Sequence, residues 1–317
     1  MTPLAPSLPT VPTQRSLRGP YGLAVLVLVL TTVTIIKGAM TTSTGSGLAY
    51  PDYPLSDGQL MPESSYTTVA GFLEHFHRLF AATAGLAALA LALWLHLGRL
   101  ADRRARSTAW GGGLLLLTQA LFGGFGVLLE LPAVTSVTHA TLAQLTLATF
   151  AWLTYQLTDR YRETAPVSTV PPGTGRRVVV FGVVVMVVQT VLGALARHTN
   201  SAHAMWTHAG NSLVVFLVAT VATSLAVGKL GTVPGIQSLS RWIVGLLIGQ
   251  IALGFVVLAV RNPAGKQASN VEHLDTAAVI SAHVVIGAML TVLMATLAAH
   301  VFRATRRPAA GAEVAHA

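Results

Sequence analysis

The chain has 317 residues, 53% hydrophobic and only 10% charged, where a soluble globular protein carries roughly 25% charged residues; a water-soluble domain is excluded and a lipid-embedded one indicated. The net charge of +9 points to the charge bias of membrane loops rather than to nucleic acid, because the basic residues fall on one side of the apolar runs. With no cysteine, disulfides, thiolate-held zinc and iron–sulfur clusters are excluded.

After a polar, Pro-rich start, apolar runs predict spans at 21–40, 71–97, 109–129, 134–157, 178–196, 206–228, 242–260 and 276–302, near the roughly 20 residues that cross a bilayer as helix. The alternating pattern of an outer-membrane barrel is absent. The first run has no small-residue cleavage site after Lys37, so it is expected to be a retained helix and not a signal peptide. Eight spans put both termini on one side. Fifteen of the 20 Lys and Arg fall on that side: Arg15, Arg18, Arg99, Arg103, Arg104, Arg106, Arg160, Arg162, Arg176, Arg177, Lys229, Arg241, Arg303, Arg306 and Arg307. That side is predicted to be cytoplasmic. The other five are Lys37, Arg78, Arg197, Arg261 and Lys266.

Three odd-numbered spans share a Gln-x-x-x-Gly pattern: Gln119 to Gly123, Gln189 to Gly193 and Gln250 to Gly254. Each is followed by a short outer connection and a histidine near the start of the next span. Small residues in such a pattern let helices approach closely, and their recurrence indicates two parallel repeats. The expected fold is an all-α membrane protein of eight transmembrane helices in two pseudo-symmetric four-helix bundles. These are 21–160 and 178–302, joined by a cytoplasmic linker at 161–177 with Pro166, Pro171 and Pro172, and flanked by cytoplasmic tails at 1–20 and 303–317.

Of eleven histidines, His316 lies in the tail, His198, His203 and His273 in outer connections, and His96 and His300 at inner helix ends. His75, His77, His139, His208 and His283 fall in the first turns of the even-numbered spans. Ionisable residues inside spans mark function by default, although a single interfacial imidazole is equally read as a hydrogen-bonded side chain. Neutral imidazoles in two pairs, without thiolates and with almost no carboxylate, suit haem iron. Zinc prefers a compact cage of three or four ligands, and a di-iron site needs several intramembrane carboxylates. Glu74 is the one acidic residue well inside a span; Glu130 sits at a helix end. Glu74, His77 and Arg78 share a helical face. Glu74 and Arg78 read either as an ion pair shielding both from lipid, or as a working set in which Arg78 meets a haem propionate and Glu74 does acid–base or electrostatic work. In the second half Met205 and Ala209 occupy the corresponding places around His208.

On these residues the chain resembles the haem A synthase family, from about Thr31 to the last span. The resemblance is carried by Glu74-x-x-His77-Arg78, by Gly45-Ser46-Gly47-Leu48 with Pro51-Asp52-Tyr53-Pro54-Leu55, by Gln119-Ala-Leu-Phe-Gly-Gly124, and by the single histidines on later even spans. It implies that His77 and His139 bind the substrate haem O, that Glu74 is essential to turnover, and that His208 and His283 ligate a haem b. The implied reaction oxidises the C8 methyl of haem O through two hydroxylations to a gem-diol, which loses water to leave the formyl of haem A. A haem O synthase is the implied candidate partner, and the electron donor is left open. The implied setting is the bacterial cell membrane, with haem sites toward the outer side. Many family members carry a cysteine pair in the outer segment; here Tyr50 and Ser56 hold those places and Tyr53 replaces a tryptophan, so no thiol role carries over. Two other readings stand beside this one: a di-haem electron-transfer cytochrome with an inner His96–His300 pair, and a parallel-repeat transporter.

Overall fold

The computed structural model describes residues 16–167, 172–260 and 273–306. Arg15, Pro171, Arg261, Lys266, Arg307 and His316, together with most of both expected tails, lie outside the described residues. Ten helices follow in chain order: α1 (Arg18–Ser43), α2 (Ser64–Thr67), α3 (Val69–Leu97), α4 (Arg103–Leu128), α5 (Ala133–Gln156), α6 (Asp159–Glu163), α7 (Pro172–His198), α8 (Ala202–Leu230), α9 (Ile236–Val260) and α10 (Leu274–Ala304). The eight long ones correspond to the eight apolar runs. Short polar side chains fix several starts by accepting from otherwise unpaired helix N–H groups. Thr68 accepts from Gly71 N (3.1 Å), Asp102 from Ala105 N (2.8 Å) and Ser201 from Ala204 N (3.3 Å). The expected linker is shorter than its sequence indicated, because α6 takes up its first residues and α7 begins at Pro172.

Seven of the long helices are long and apolar enough to cross a membrane, so the protein is a multi-pass membrane protein. Helix α5 falls short. Its sequence is rich in threonine, and Thr141, Thr149 and Thr154 return their hydroxyls to the carbonyls of Val137, Leu145 and Phe150 at 2.7–2.8 Å. That bonding hides each hydroxyl within its own helix. Packing explains why α5 tolerates this composition: it contacts α1, α4, α7 and α10, and none of its residues from Ser136 onward is exposed. A helix enclosed by protein need not be as apolar as one facing lipid. Helix α9 is the opposite case, with Trp242, Ile248 and Phe255 exposed on a strongly apolar helix.

Helices α1, α3, α4 and α5 close a ring of contacts, each packing on the next and α5 returning to α1. Helices α7, α8, α9 and α10 close a second ring. Two separate clusters of buried apolar side chains fill them, one around Leu91, Leu95, Phe150 and Leu153, the other around Ile236, Ile243, Met294 and Leu297. Contacts of α10 with α5 and α1, and of α5 with α7, join the rings. Between α1 and α2, residues 44–63, the outer segment expected from the sequence, lie over the start of α3.

Candidate functional site

His77 of α3 and His139 of α5 face each other across the first ring, with centroids 6.3 Å apart and planes at 85°. His208 of α8 and His283 of α10 do the same in the second, at 6.1 Å and 79°. Two imidazoles that share one metal through nitrogen bonds of about 2 Å stand with centroids roughly 6 Å apart. Both separations fit an ion held between the rings. Among the described residues no group of three or more His, Cys, Asp or Glu is placed to hold a metal; the pairs therefore suit an iron that brings its other ligands in a macrocycle, as haem does.

Each ring rests on a glycine of the preceding long helix. A Cβ added at Gly38, Gly123, Gly193 or Gly254 would lie 2.7, 2.8, 2.9 and 3.2 Å from Cε1 of His77, His139, His208 and His283 respectively. Four residues before the glycine, a backbone carbonyl meets Nδ1 in three of the four seats: Thr34 for His77 (3.0 Å), Gln119 for His139 (2.6 Å) and Gln189 for His208 (3.2 Å). A carbonyl only accepts, so Nδ1 carries the proton and the Nε2 lone pair is left for a metal, the usual second-sphere arrangement of a ligating histidine. His283 departs from the pattern. Its Nδ1 is buried without a partner among the described residues, and the Gln250 amide lies 3.4 Å from Nε2. In this half the glutamine side chains also act, Gln189 donating to the His208 carbonyl (3.0 Å) and Gln250 to that of His283 (2.9 Å).

The repeated Gln-x-x-x-Gly pattern thus has a use that helix packing alone did not predict. Its glycine makes room for an imidazole in all three copies, and at Gln119 and Gln189 its first residue supplies a carbonyl. The first span holds a fourth copy, Thr34 to Gly38, which sequence reading missed because a backbone carbonyl puts no demand on side-chain identity.

Glu74 and Arg78 form the ion pair that the spacing left as one alternative, with side chains 4% and 10% exposed. Both are also bound to the outer segment. Glu74 Oε2 accepts from Tyr50 N (3.1 Å). Arg78 donates through Nη1 to the carbonyls of Asp52 (2.7 Å) and Leu55, and through Nη2 to that of Tyr50 (3.0 Å). Tyr50 and Ser56 make further contacts of the same strap: Tyr50 is buried with its hydroxyl 2.9 Å from Ser64 Oγ, and Ser56 Oγ lies 3.0 Å from Nδ1 of buried His75. His75 therefore serves the outer segment and not the His77–His139 pair. Asp52 accepts the N–H groups of Asp57 and Gly58, each at 2.8 Å. Burial pushes its carboxyl pKa up, but those N–H groups and the Arg78 guanidinium outweigh it and hold the group below the ordinary carboxylate range.

The inner histidines are not brought together. His96 accepts from Trp110 Nε1 (3.4 Å), whereas His300 stacks on Tyr155 at 3.9 Å, with the Tyr155 hydroxyl 3.1 Å from its Nδ1.

The sequence profile of a family described as cytochrome oxidase assembly protein matches residues 22–215, more than half of the chain. The match spans His77, His139 and His208 and ends before His283. Three relatives bear the name haem A synthase. That of Symbiobacterium thermophilum is 27% identical over 61% of this chain and 65% of its own length. That of Bacillus licheniformis is 26% identical over 57% and 59%, and that of Bacillus pumilus 28% over 56% and 59%. The matched region thus spans less than two thirds of each relative.

Proposed function

The chain belongs to the COX15-CtaA family of cytochrome oxidase assembly proteins, and from that premise we propose that it is a haem A synthase, a membrane oxidoreductase that converts the C8 methyl of haem O to the formyl of haem A. The observation that carries this reading is the matched pair of histidine seats, each with a 6 Å spacing and a glycine under every ring. In this reading the two rings of helices are pseudo-symmetric four-helix bundles, 21–160 and 178–302, joined by 161–177, and α5 completes eight spans. The tails 1–20 and 303–317 lie in the cytoplasm of a bacterial cell, as the one-sided basic residues favour, and the histidine pairs lie toward the outer side.

His77 and His139 hold the substrate haem O, and His208 and His283 hold haem b, which when bound supplies a one-electron redox centre. The carbonyls of Thr34, Gln119 and Gln189 fix the tautomer and ring orientation of three of these ligands. Glu74 acts at the reacting carbon as an acid–base or electrostatic group. The Tyr50 N–H and Arg78 hold one carboxylate oxygen each, so its direction is set before substrate arrives. Arg78 spends its Nη donors on Glu74 and on three carbonyls of the outer segment, which leaves Nε–H for a haem propionate. The strapped segment closes the site from water, and exclusion of water strengthens the influence of a single carboxylate. The enzyme that makes haem O is the expected partner. A di-haem cytochrome that passes electrons across the bilayer is less well supported, because His96 and His300 are engaged with different aromatic rings.

Extraction of haem from purified wild-type protein, Glu74→Ala and His208→Ala, after expression with a haem O source, tests the reading. Glu74→Ala is expected to keep haem and stop haem A formation; His208→Ala is expected to lose the second haem. Haem A made at the normal rate by Glu74→Ala would remove Glu74 from catalysis. Only haem O recovered from wild type supplied with electrons would count against the synthase itself.

A further inference from the structure

At the end of the molecule away from the histidine pairs, α4, α5, α6, α7 and α10 enclose a cavity of about 730 Å³. Four of its lining side chains are arginines, Arg104, Arg176, Arg303 and Arg306, and among the described residues no carboxylate lines it. The positive-inside rule accounts for basic residues on this side, but not for their convergence on one void from three long helices of both rings. Arg103, Lys229 and Arg241 obey the rule without lining the cavity. Like charges gathered around one space repel one another, and an anion between them relieves that repulsion.

Two of the arginines are held in place with donors to spare. Arg176 gives Nε to Thr305 Oγ1 (3.0 Å) and Nη2 to the Thr305 carbonyl (2.8 Å), and its guanidinium lies 5.1 Å over the Phe302 ring. Arg303 gives Nε to the Tyr161 carbonyl and Nη2 to that of Arg162 (2.8 Å), and lies 5.2 Å over the Tyr161 ring. A guanidinium has five N–H donors; among the described residues neither Nη1 has a hydrogen-bond partner. Independently, Gln156 lines the same cavity, is only 7% exposed, and among the described residues its buried Oε1 has no partner. Either end of that amide can meet a ligand, the NH₂ giving to phosphate oxygen or the carbonyl taking from a hydroxyl.

We propose that this cavity binds a phosphate-bearing anion, supplied by the headgroup of an anionic membrane phospholipid. The cavity lies at the ends of membrane-crossing helices, the level at which lipid headgroups sit, and basic pockets between such helices recognise them. An anion there ties α4 to α7 and α10 and so clamps the two rings together.

Thermal unfolding of the full-length protein in detergent, followed by tryptophan fluorescence, tests this without reference to haem chemistry. Phosphatidylglycerol is expected to raise the midpoint by several degrees and phosphatidylcholine to leave it unchanged. The Arg176→Gln, Arg303→Gln double variant is expected to lose the response, and Arg241→Gln, outside the cavity, to keep it. Arg104 makes no side-chain hydrogen bond among the described residues, so Arg104→Gln should fold normally with a reduced response, and it carries the test if the double variant does not fold. An equal rise with inorganic pyrophosphate alone would keep the phosphate site and move its source to a soluble compound. No rise with either anion in wild type, or a rise undiminished in Arg104→Gln, overturns the proposal.

Discussion

The two halves of the molecule are built on one frame and finished differently. In both, a pair of imidazoles faces across a ring of helices, about equally spaced and each over a glycine. Above the first pair lies the outer segment, tied down by Glu74, His75 and Arg78. Around His208 the places of Glu74 and Arg78 are taken by Met205 and Ala209, and glutamine amides pin the histidine carbonyls instead. Holding a pair of rings at metal-binding distance therefore needs no charged side chain: glycines seat all four rings, with backbone carbonyls at three and glutamine amides in the second half. The charged strap is an addition to one half, and it is there that the proposed chemistry belongs.

The largest effect should come from breaking that strap. Arg78→Gln leaves the buried Glu74 carboxylate without its partner and frees the carbonyls of Tyr50, Asp52 and Leu55. Removing one member of a buried ion pair costs roughly 3–5 kcal/mol. The expected outcome is loss of haem A formation together with rapid protease cleavage in residues 45–63, while haem bound by the second half remains. Glu74→Gln, Arg78→Gln together should recover part of the stability and none of the activity. Equal loss of haem from both halves would show that the strap supports the whole fold and not one site.

Next in size is a test of the shared frame. At Gly38, Gly123 and Gly193 an alanine Cβ falls under 3.0 Å from the imidazole, and at Gly254 at 3.2 Å. Forcing a methyl into such a contact costs roughly 1–3 kcal/mol, about ten- to hundredfold in haem affinity. Alanine at the first two should weaken the first site, alanine at Gly193 the second, and Gly254→Ala should be mildest. Haem content per protein with the Soret spectrum of each variant measures this. A uniform response at all four, or none, would mean that the seats do not set ring position.

These seats also show how far the sequence could be read. The long helices were legible because lipid demands long apolar runs. The ligand candidates stood out because a histidine in the first turn of every even-numbered span is costly unless used. Two things were not legible. Thr34 and Gly38 escaped notice since the contact uses a main-chain carbonyl, and three glutamines elsewhere drew the eye to a side chain. The role of Arg78 was only half visible: spacing paired it with Glu74, but its larger engagement is with carbonyls some 23 to 28 residues upstream, and no local pattern encodes where a loop will fold back. The threonines of α5 leave it less apolar than the other seven long helices, although its own helix takes up the hydrogen bonds of Thr141, Thr149 and Thr154.

The smallest effect concerns acid. Asp52 holds the turn of the outer segment through the N–H groups of Asp57 and Gly58, and its folded pKa lies below the ordinary value. A carboxylate whose pKa is depressed on folding contributes stability that is fully present above its unfolded pKa, about 3.9, and is lost as pH falls through the folded value. From neutrality down to about pH 5 the segment should therefore stay closed, with opening confined to more acid solution. Amide exchange at residues 52–59, compared with the start of α8, reads the difference between the halves directly. The first should loosen in acid while the second, which among the described residues has no such carboxylate beside His208, does not. Asp52→Asn should exchange faster at neutral pH and lose the acid dependence; if it behaves as wild type, the contacts of Glu74, His75 and Arg78 hold the strap without it, and the asymmetry between the halves reduces to those three side chains.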